Sequence, residues 1–442
     1  MKAIKRIIAV MLALILVSGS LVCFAADGEK QYHKYEKYLL LGDSEASGFR
    51  DYESVMSEFT YVEDSYAAYL AKDLGIALEN YYPMACPGFR TIELRMMLED
   101  DYTTDDPYLF EAVPHHSAEE ILAKKPEMIQ NVKDADLITL AIGGNDWGAY
   151  LGWVMTDFLE DHPLPEDFEN ALREFLAKAT LEDNIVKTIV ELAQTFNAVD
   201  EFLVILPEAI DYAFSTLNEN WGHIIEDIYA YNPDVTLVVV GMFNTTLSTP
   251  EGRPDEVAEP DPLAVKVEQM IIDNGNKPMV ENQEKYGYIY VDTTGTIVET
   301  AHPTAAGHRH IANRILEELP DARFPYTDVA VLRNSSYKAI EYMYLNDIMS
   351  GTSATTFSPD AVITKAQLSE ALNKINGTYT ITDSTAEVSK LSFAASLVKA
   401  SADKGIIGMF KTLIFALKMM ISGFGNVTRA EAAVKLYEFI NL

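Results

Sequence analysis

Apolar runs of strand length alternate with stretches of helical spacing along the first three-quarters of the chain. Residues 38–41 form the first apolar run, which ends at Gly42. Residues 64–74 follow with Tyr66, Ala67, Leu70 and Leu74 on one helical face. Residues 77–81 predict a second strand and 91–98 a helix, and Ser117-Ala118-Glu119-Glu120 is a capping-box pattern that opens another short helix. The clearest central strand is 136–142, with Leu137, Ile138, Leu140 and Ile142; 235–240 is equally plain, and 288–291 is a last short one. Residues 304–319 read as a helix with Ile311, Ala312, Ile315 and Leu319 on its apolar side. Strands separated by helices predict a parallel, three-layer α/β domain, whose ligands sit outside the carboxyl ends of the strands.

Between two of these strands, residues 150–232 are too long for a simple crossover. Helical periodicity runs through 168–179, 185–196 and 210–229. Two readings stand side by side: a helical cap that shapes substrate entry, and an extra packing layer. Residues 247–263 hold Pro250, Pro254, Pro260 and Pro262 among acidic residues and read as an exposed loop.

The pattern breaks after Leu319-Pro320. Phe324-Pro325-Tyr326-Thr327-Asp328 leads into a helix holding Ala339, Ile340 and Met343, followed by Gly351 and Phe357-Ser358-Pro359-Asp360. Ile363-Thr364-Lys365-Ala366-Gln367 returns 64 positions later as Val427-Thr428-Arg429-Ala430-Glu431, with Ala400, Ile406 and Gly408 echoing the helix and glycine. Two copies of a helical unit are expected, at 324–378 and 385–442. The apolar stretch 409–425 contains Lys411 and Lys418 and is short for a membrane span, so a buried helix or a partner-binding surface is expected there.

The first residues stand apart from this organisation. Lys2, Lys5 and Arg6 precede an apolar run, and Cys23-Phe24-Ala25-Ala26 supplies small residues for cleavage after Ala25 or Ala26. Residues 1–26 are therefore expected to be a secretory signal peptide. Its loss removes three positive charges and takes the net charge from −33 to −36. Such acidity repels phosphate backbones and argues against nucleic-acid binding. Cleavage also leaves Cys86 alone, so no intramolecular disulfide is expected; with Ala85 and Pro87 beside it, Cys86 reads as a small buried apolar residue.

Three islands carry the chemistry: Gly42-Asp43-Ser44, Gly143-Gly144-Asn145-Asp146 and Glu299-Thr300-Ala301-His302-Pro303. Ser44, directly after a strand and a glycine, suits either an exposed nucleophile or a plain turn. Asn145 offers an amide donor to an oxyanion, or a helix cap. Gly88, ahead of a helix, offers a backbone N–H or a simple turn. His302 offers a base whose second ring nitrogen is within reach of Glu299, or a surface turn. His308 and His310 raise the question of a metal, but residues two apart on a helix diverge and no zinc spacing is present, so no metal or other cofactor is expected. The order serine, glycine, asparagine, histidine, each beside a strand end, points to acyl transfer.

That order resembles the SGNH, or GDSL-type, esterase and lipase family over residues 35–320. The resemblance rests on Leu41 to Phe49, Ala85 to Thr91, Ile142 to Asp146 and Glu299 to Pro303. It implies a flavodoxin-like α/β/α domain with a five-stranded parallel sheet. It further implies Ser44 as nucleophile, His302 as general base, and an oxyanion hole of the Ser44 and Gly88 N–H groups with the Asn145 side chain. The family carries Asp three residues before the histidine; here the position is Glu299, with Asp292 as a weaker substitute. Residues 324–442 resemble surface-layer homology (SLH) modules, a small all-α region that attaches secreted bacterial proteins to cell-wall polymers. The signature is Thr364-Lys365-Ala366-Gln367 in the first copy and Thr428-Arg429-Ala430-Glu431 in the second.

The expected protein is a secreted serine ester hydrolase, held at the bacterial cell surface, acting on short-chain, lipid or O-acetylated carbohydrate esters. The alternatives are an acyltransferase using the same residues and a non-catalytic wall-binding scaffold. For the second region, dimerisation stands as the alternative to wall binding.

Overall fold

The computed structural model describes residues 30–49, 58–149, 151, 154–178, 185–247, 261–298, 302–329, 335–376, 385–401, 412 and 426–441. The expected leader, Glu299, most of the 247–263 loop and, apart from Thr412, the apolar stretch 409–425 lie outside the described residues. Among the described residues, no helix is long and apolar enough to cross a membrane. The chain divides into two compact units, Tyr32–Pro320 and one built on Asp321–Leu442.

The larger unit runs β1 (Tyr38–Gly42), α1 (Ser44–Ser47), α2 (Tyr66–Asp73), β2 (Tyr81–Pro83), α3 (Thr91–Leu98), α4 (Ala118–Leu122), α5 (Lys125–Asp134), β3 (Leu137–Ala141), α6 (Gly144–Ala149) and α7 (Met155–Asp161). It continues with α8 (Glu166–Leu176), α9 (Ile185–Thr195), α10 (Val199–Ala213), α11 (Ser215–Tyr231), β4 (Thr236–Val240), α12 (Pro262–Tyr286), β5 (Ile289–Val291) and α13 (Ala305–Glu318). The five strands form one sheet in the order β2-β1-β3-β4-β5, all parallel. This is the expected three-layer architecture. Alternation along the strands sends Leu39, Leu41, Ile138, Leu140, Leu237 and Val239 to one face. Tyr38, Leu40, Leu137, Val238 and Val240 go to the other, where α2 and α13 cover them with Tyr66, Leu70, Ile311 and Ile315.

The described residues between 151 and 232 join the first of these cores. Trp221, Ile224, Ile225 and Ile228 of α11 and Phe168, Leu172, Ile189, Phe202 and Leu206 of α8 to α10 belong to one continuous cluster with the sheet. The periodicity read at 210–229 is two helices, because the chain breaks at Phe214. The second strand also differs from the reading: 78–80 is a 3-10 turn and the strand begins at Tyr81. Residues 262–263, read as loop, open the 25-residue α12, whose N-cap Asp261 accepts from the Leu263 and Ala264 amides.

The smaller unit contains α14 (Ser335–Leu345), α15 (Lys365–Asn376), α16 (Lys390–Ala400) and α17 (Arg429–Ile440) around a core that includes Ile340, Met343, Phe357, Ile363, Val388, Phe393, Val427 and Phe439. Its centre is a ring of three backbone hydrogen bonds. The Ile363 N–H donates to Val427 at 2.9 Å, Val427 to Val388 at 2.8 Å, and Val388 to Ile363 at 3.1 Å. Each member precedes a helix cap: Thr364, Ser389 and Thr428 each accept from the amide three residues on. The repeat read at Thr364 and Thr428 therefore has a third equivalent corner at Ser389. Gln367 fills the role of the acid it replaces, since its Oε1 accepts the Thr364 N–H at 3.0 Å and closes a capping box. Arg429 turns inward: its Nε donates to the Phe357 carbonyl at 2.8 Å, Nη2 to Ser350 at 2.5 Å, and the guanidinium lies over the Phe357 ring.

Candidate active site

Strand order reverses between β1 and β3, and the crevice beyond their carboxyl ends is where open α/β sheets hold ligands. Ser44 follows β1 and Asn145 follows β3. The strands are tied at that edge: the Asp43 N–H donates to Ala141 and the Cys86 N–H to Gly42, both at 3.0 Å. Asp43 also caps α1 by accepting the Glu45 N–H at 3.0 Å, so the helix begins with Ser44.

His302 arrives from the far end of the domain. Val298 bridges Pro303, the Thr304 N–H donates to Ile297 at 3.0 Å, and the Thr304 hydroxyl caps α13. His302, held beside these pairings, places its Nε2 2.9 Å from Ser44 Oγ, across 258 residues of sequence. Phe49 packs edge-on against the imidazole, with ring centroids 5.1 Å apart. A hydroxyl hydrogen-bonded to a ring nitrogen can pass its proton to that nitrogen as it attacks an electrophile.

Asn145 Nδ2 donates to the Phe89 carbonyl at 2.9 Å. A carbonyl can only accept, so this contact orients the amide nitrogen toward the 88–90 turn and leaves its second N–H for another acceptor. Gly88 makes that turn at φ +86°, and a Cβ there would lie 2.2 Å from the Ala112 carbonyl oxygen. Gly88→Ala is expected to destabilise the domain by about 1–3 kcal/mol through the left-handed backbone alone, with the clash adding to it. A urea midpoint equal to that of the parent protein would refute this.

Two carboxylates lock the islands together. Asp146 accepts the Thr91 N–H at 3.0 Å and its hydroxyl at 2.6 Å, fixing the start of α3 against α6. Asp43 accepts from Gly143 as well as Glu45. Burial pushes both carboxyls up to about 7, and pushes Glu45 well above the ordinary range. A raised carboxyl holds its proton longer in the folded state, so Asp43 and Asp146 favour folding below about pH 4 and lose that contribution as pH rises to about 7. His302 runs the other way. Burial lowers its imidazole to about 4, so the unfolded chain binds the extra proton between about 6.5 and 4 and stability falls as pH drops through that window. At neutral pH the ring is uncharged, as a base must be.

The structure thus brings Ser44 together with His302, and Asn145 together with the Gly88 turn, at the ends of the adjacent strands β1 and β3. Glu299 lies outside the described residues. Asp292 is exposed and its Oδ1 accepts from the Thr294 N–H and hydroxyl. His308 is fully buried against Tyr66, whereas His310 Nε2 faces the Thr294 carbonyl at 3.1 Å. Among the described residues no three His, Cys, Asp or Glu side chains are grouped to hold a metal ion. The sequence reading did not assign the linking roles of Asp43, Asp146 and Phe49.

Residues 38–315 match the family model described as GDSL-like lipase/acylhydrolase, and 325–369 match that of the S-layer homology domain. Similar solved structures include an extracellular lipase from Streptomyces rimosus, 16% identical, with a TM-score of 0.38, covering 64% of this chain and 99% of that one. A phospholipase A1 from Streptomyces albidoflavus is 17% identical, with a TM-score of 0.36 and the same coverage of 64% and 99%. An acetylxylan esterase from Geobacillus stearothermophilus is 14% identical, with a TM-score of 0.32, covering 64% and 94%. No curated protein matches the chain.

Proposed function

Because residues 38–315 place this chain in the GDSL-like lipase and acylhydrolase family, we propose that it is a serine ester hydrolase acting at the bacterial cell surface. The observation that carries this reading is the 2.9 Å contact between His302 Nε2 and Ser44 Oγ at the switch point of the sheet. In the proposed reaction Ser44 Oγ attacks the ester carbonyl carbon while His302 takes its proton. The negative charge on the carbonyl oxygen is received by the Ser44 and Gly88 N–H groups and the Asn145 amide. The alcohol leaves with the proton returned by His302. Water, deprotonated by the same ring, then attacks the acyl-serine, and the carboxylic acid departs as Ser44 recovers its hydrogen. Glu299 is assigned to hold the other ring nitrogen.

The leader would export the protein, and the smaller unit would retain it on wall polymer; the match at 325–369 supports that anchoring. A fluorophosphonate reacts only with an activated serine, so mass mapping of the treated full chain tests the reading. An adduct at Ser44 is expected, and its absence would dismiss the nucleophile. Asn145→Ala is expected to lower kcat by about 10²–10³ with the fold retained, the usual loss for one oxyanion donor. Unchanged kcat would remove Asn145 from the hole.

A further inference from the structure

Two segments pack on the turn that carries Gly88. From one, the Phe59 N–H donates to the Ala85 carbonyl at 3.0 Å, and the Phe59 and Phe89 ring centroids are 6.1 Å apart. From the other, the Ala112 carbonyl and the Val113 amide lie where a Gly88 Cβ would stand, and Phe110 is also 6.1 Å from Phe89. Glu58 and His115 join these segments: Glu58 Oε1 stands 2.5 Å from His115 Nδ1. With the carboxylate accepting, Nδ1 carries the hydrogen. The Glu58 side chain is 1% exposed, and its Oε2 has no hydrogen-bond partner among the described residues. Loss of His115 would therefore strand a buried charge. The Cys86 thiol is pushed up first by burial and then by the Glu58 carboxylate, which puts that charge close to the turn.

Resting on the serine-hydrolase reading, we propose that Glu58 and His115 are positioning residues for the oxyanion hole. Their contact clasps segments 58–59 and 110–116 onto the 85–89 turn. It thereby fixes the Gly88 N–H and, through the Phe89 carbonyl, the Asn145 amide. Gly88 has no side chain to lock it, so the direction of its N–H depends on how the turn is held. The sheet holds the start of the turn, where the Cys86 N–H donates to Gly42 at 3.0 Å, and the clasp holds the remainder. A hole stabilises charge only if its donors are aimed before the reaction begins, and hydrogen bonds weaken steeply as they misalign. A displacement of about 1 Å in such a site costs up to about 10²-fold in rate.

The test compares the full chain with His115→Ala and with the double variant Glu58→Gln/His115→Ala. It measures p-nitrophenyl acetate hydrolysis, the urea midpoint, and hydrogen exchange of amides 85–89. His115→Ala should lower kcat about 10–100-fold with KM unchanged, since oxyanion donors act in the transition state. It should also lower the urea midpoint, because Glu58 is left charged and unpaired. The double variant removes that charge, so the midpoint should recover while kcat stays about tenfold or more below the parent. A pair with a merely structural role would restore both. With Asn145→Ala already present, the kcat loss from the double change should shrink, because the two act on one hole. Amides 85–89 should exchange about tenfold faster in both variants, whether or not any ester is cleaved. Faster exchange in the variants, with no fluorophosphonate adduct at Ser44 in the parent, supports the clasp and sinks the hydrolase reading alone. Unchanged exchange, or kcat restored in the double variant, overturns the clasp, while Ser44 labelling keeps the hydrolase reading.

Discussion

Ser44→Ala is expected to abolish ester hydrolysis, lowering kcat by about 10⁴–10⁶, as loss of a serine nucleophile does elsewhere. The size follows from the lack of a free nucleophile beside Ser44 among the described residues. Ser47 is buried, and its hydroxyl donates to the Ser44 carbonyl at 3.1 Å, so it is already engaged. Cys86 is buried and its thiol is pushed well up by desolvation, so thiolate is negligible at neutral pH. What would remain is the hole itself acting on an ester attacked by water. The mutation removes one oxygen atom at a half-buried position, so thermal unfolding should hardly change. Steady-state hydrolysis by purified Ser44→Ala protein decides the matter: activity within tenfold of the parent would end the serine mechanism.

The frame and most of the site were legible because they depend on local pattern. Apolar runs closed by glycine mark β1 and β3, and the residues after them are necessarily at the ligand-binding edge of a parallel sheet. Thr304 announces α13 as a helix cap, which puts His302 just ahead of it. What was missed depends on contacts that no window shows. α12 contains Gly275 and Pro278, which look like breakers. The glycine is there because Met242 and Phe214 press on it; a Cβ would meet Met242 Cε at 1.9 Å. The third corner of the smaller unit has serine for threonine and Ser392 where an acid or amide stands elsewhere, so its signature is lost. Its backbone ring survives, because carbonyls and amides carry no side-chain code. Asp146 and Thr91 meet across 55 residues of sequence, a contact that no local window shows.

His302→Ala is expected to match the loss from Ser44→Ala, and the double variant to be no worse than either alone, because the two groups act as one unit. The pH profile then separates the forces on the ring. Burial by itself holds the imidazole at about 4. An anionic carboxylate against the second nitrogen favours the charged ring and raises that value. With Glu299 in its proposed role, the acid limb of kcat/KM should therefore lie above 4, and Glu299→Gln should move it down toward 4. The same change should cost up to about 10⁴ in kcat, since the wrong ring tautomer would face Ser44. Glu299→Asp, which restores the family's usual residue, should recover most of the rate if its shorter arm still reaches. An acid limb that stays fixed in Glu299→Gln, with kcat preserved, would mean that the buried imidazole works without a carboxylate from this position.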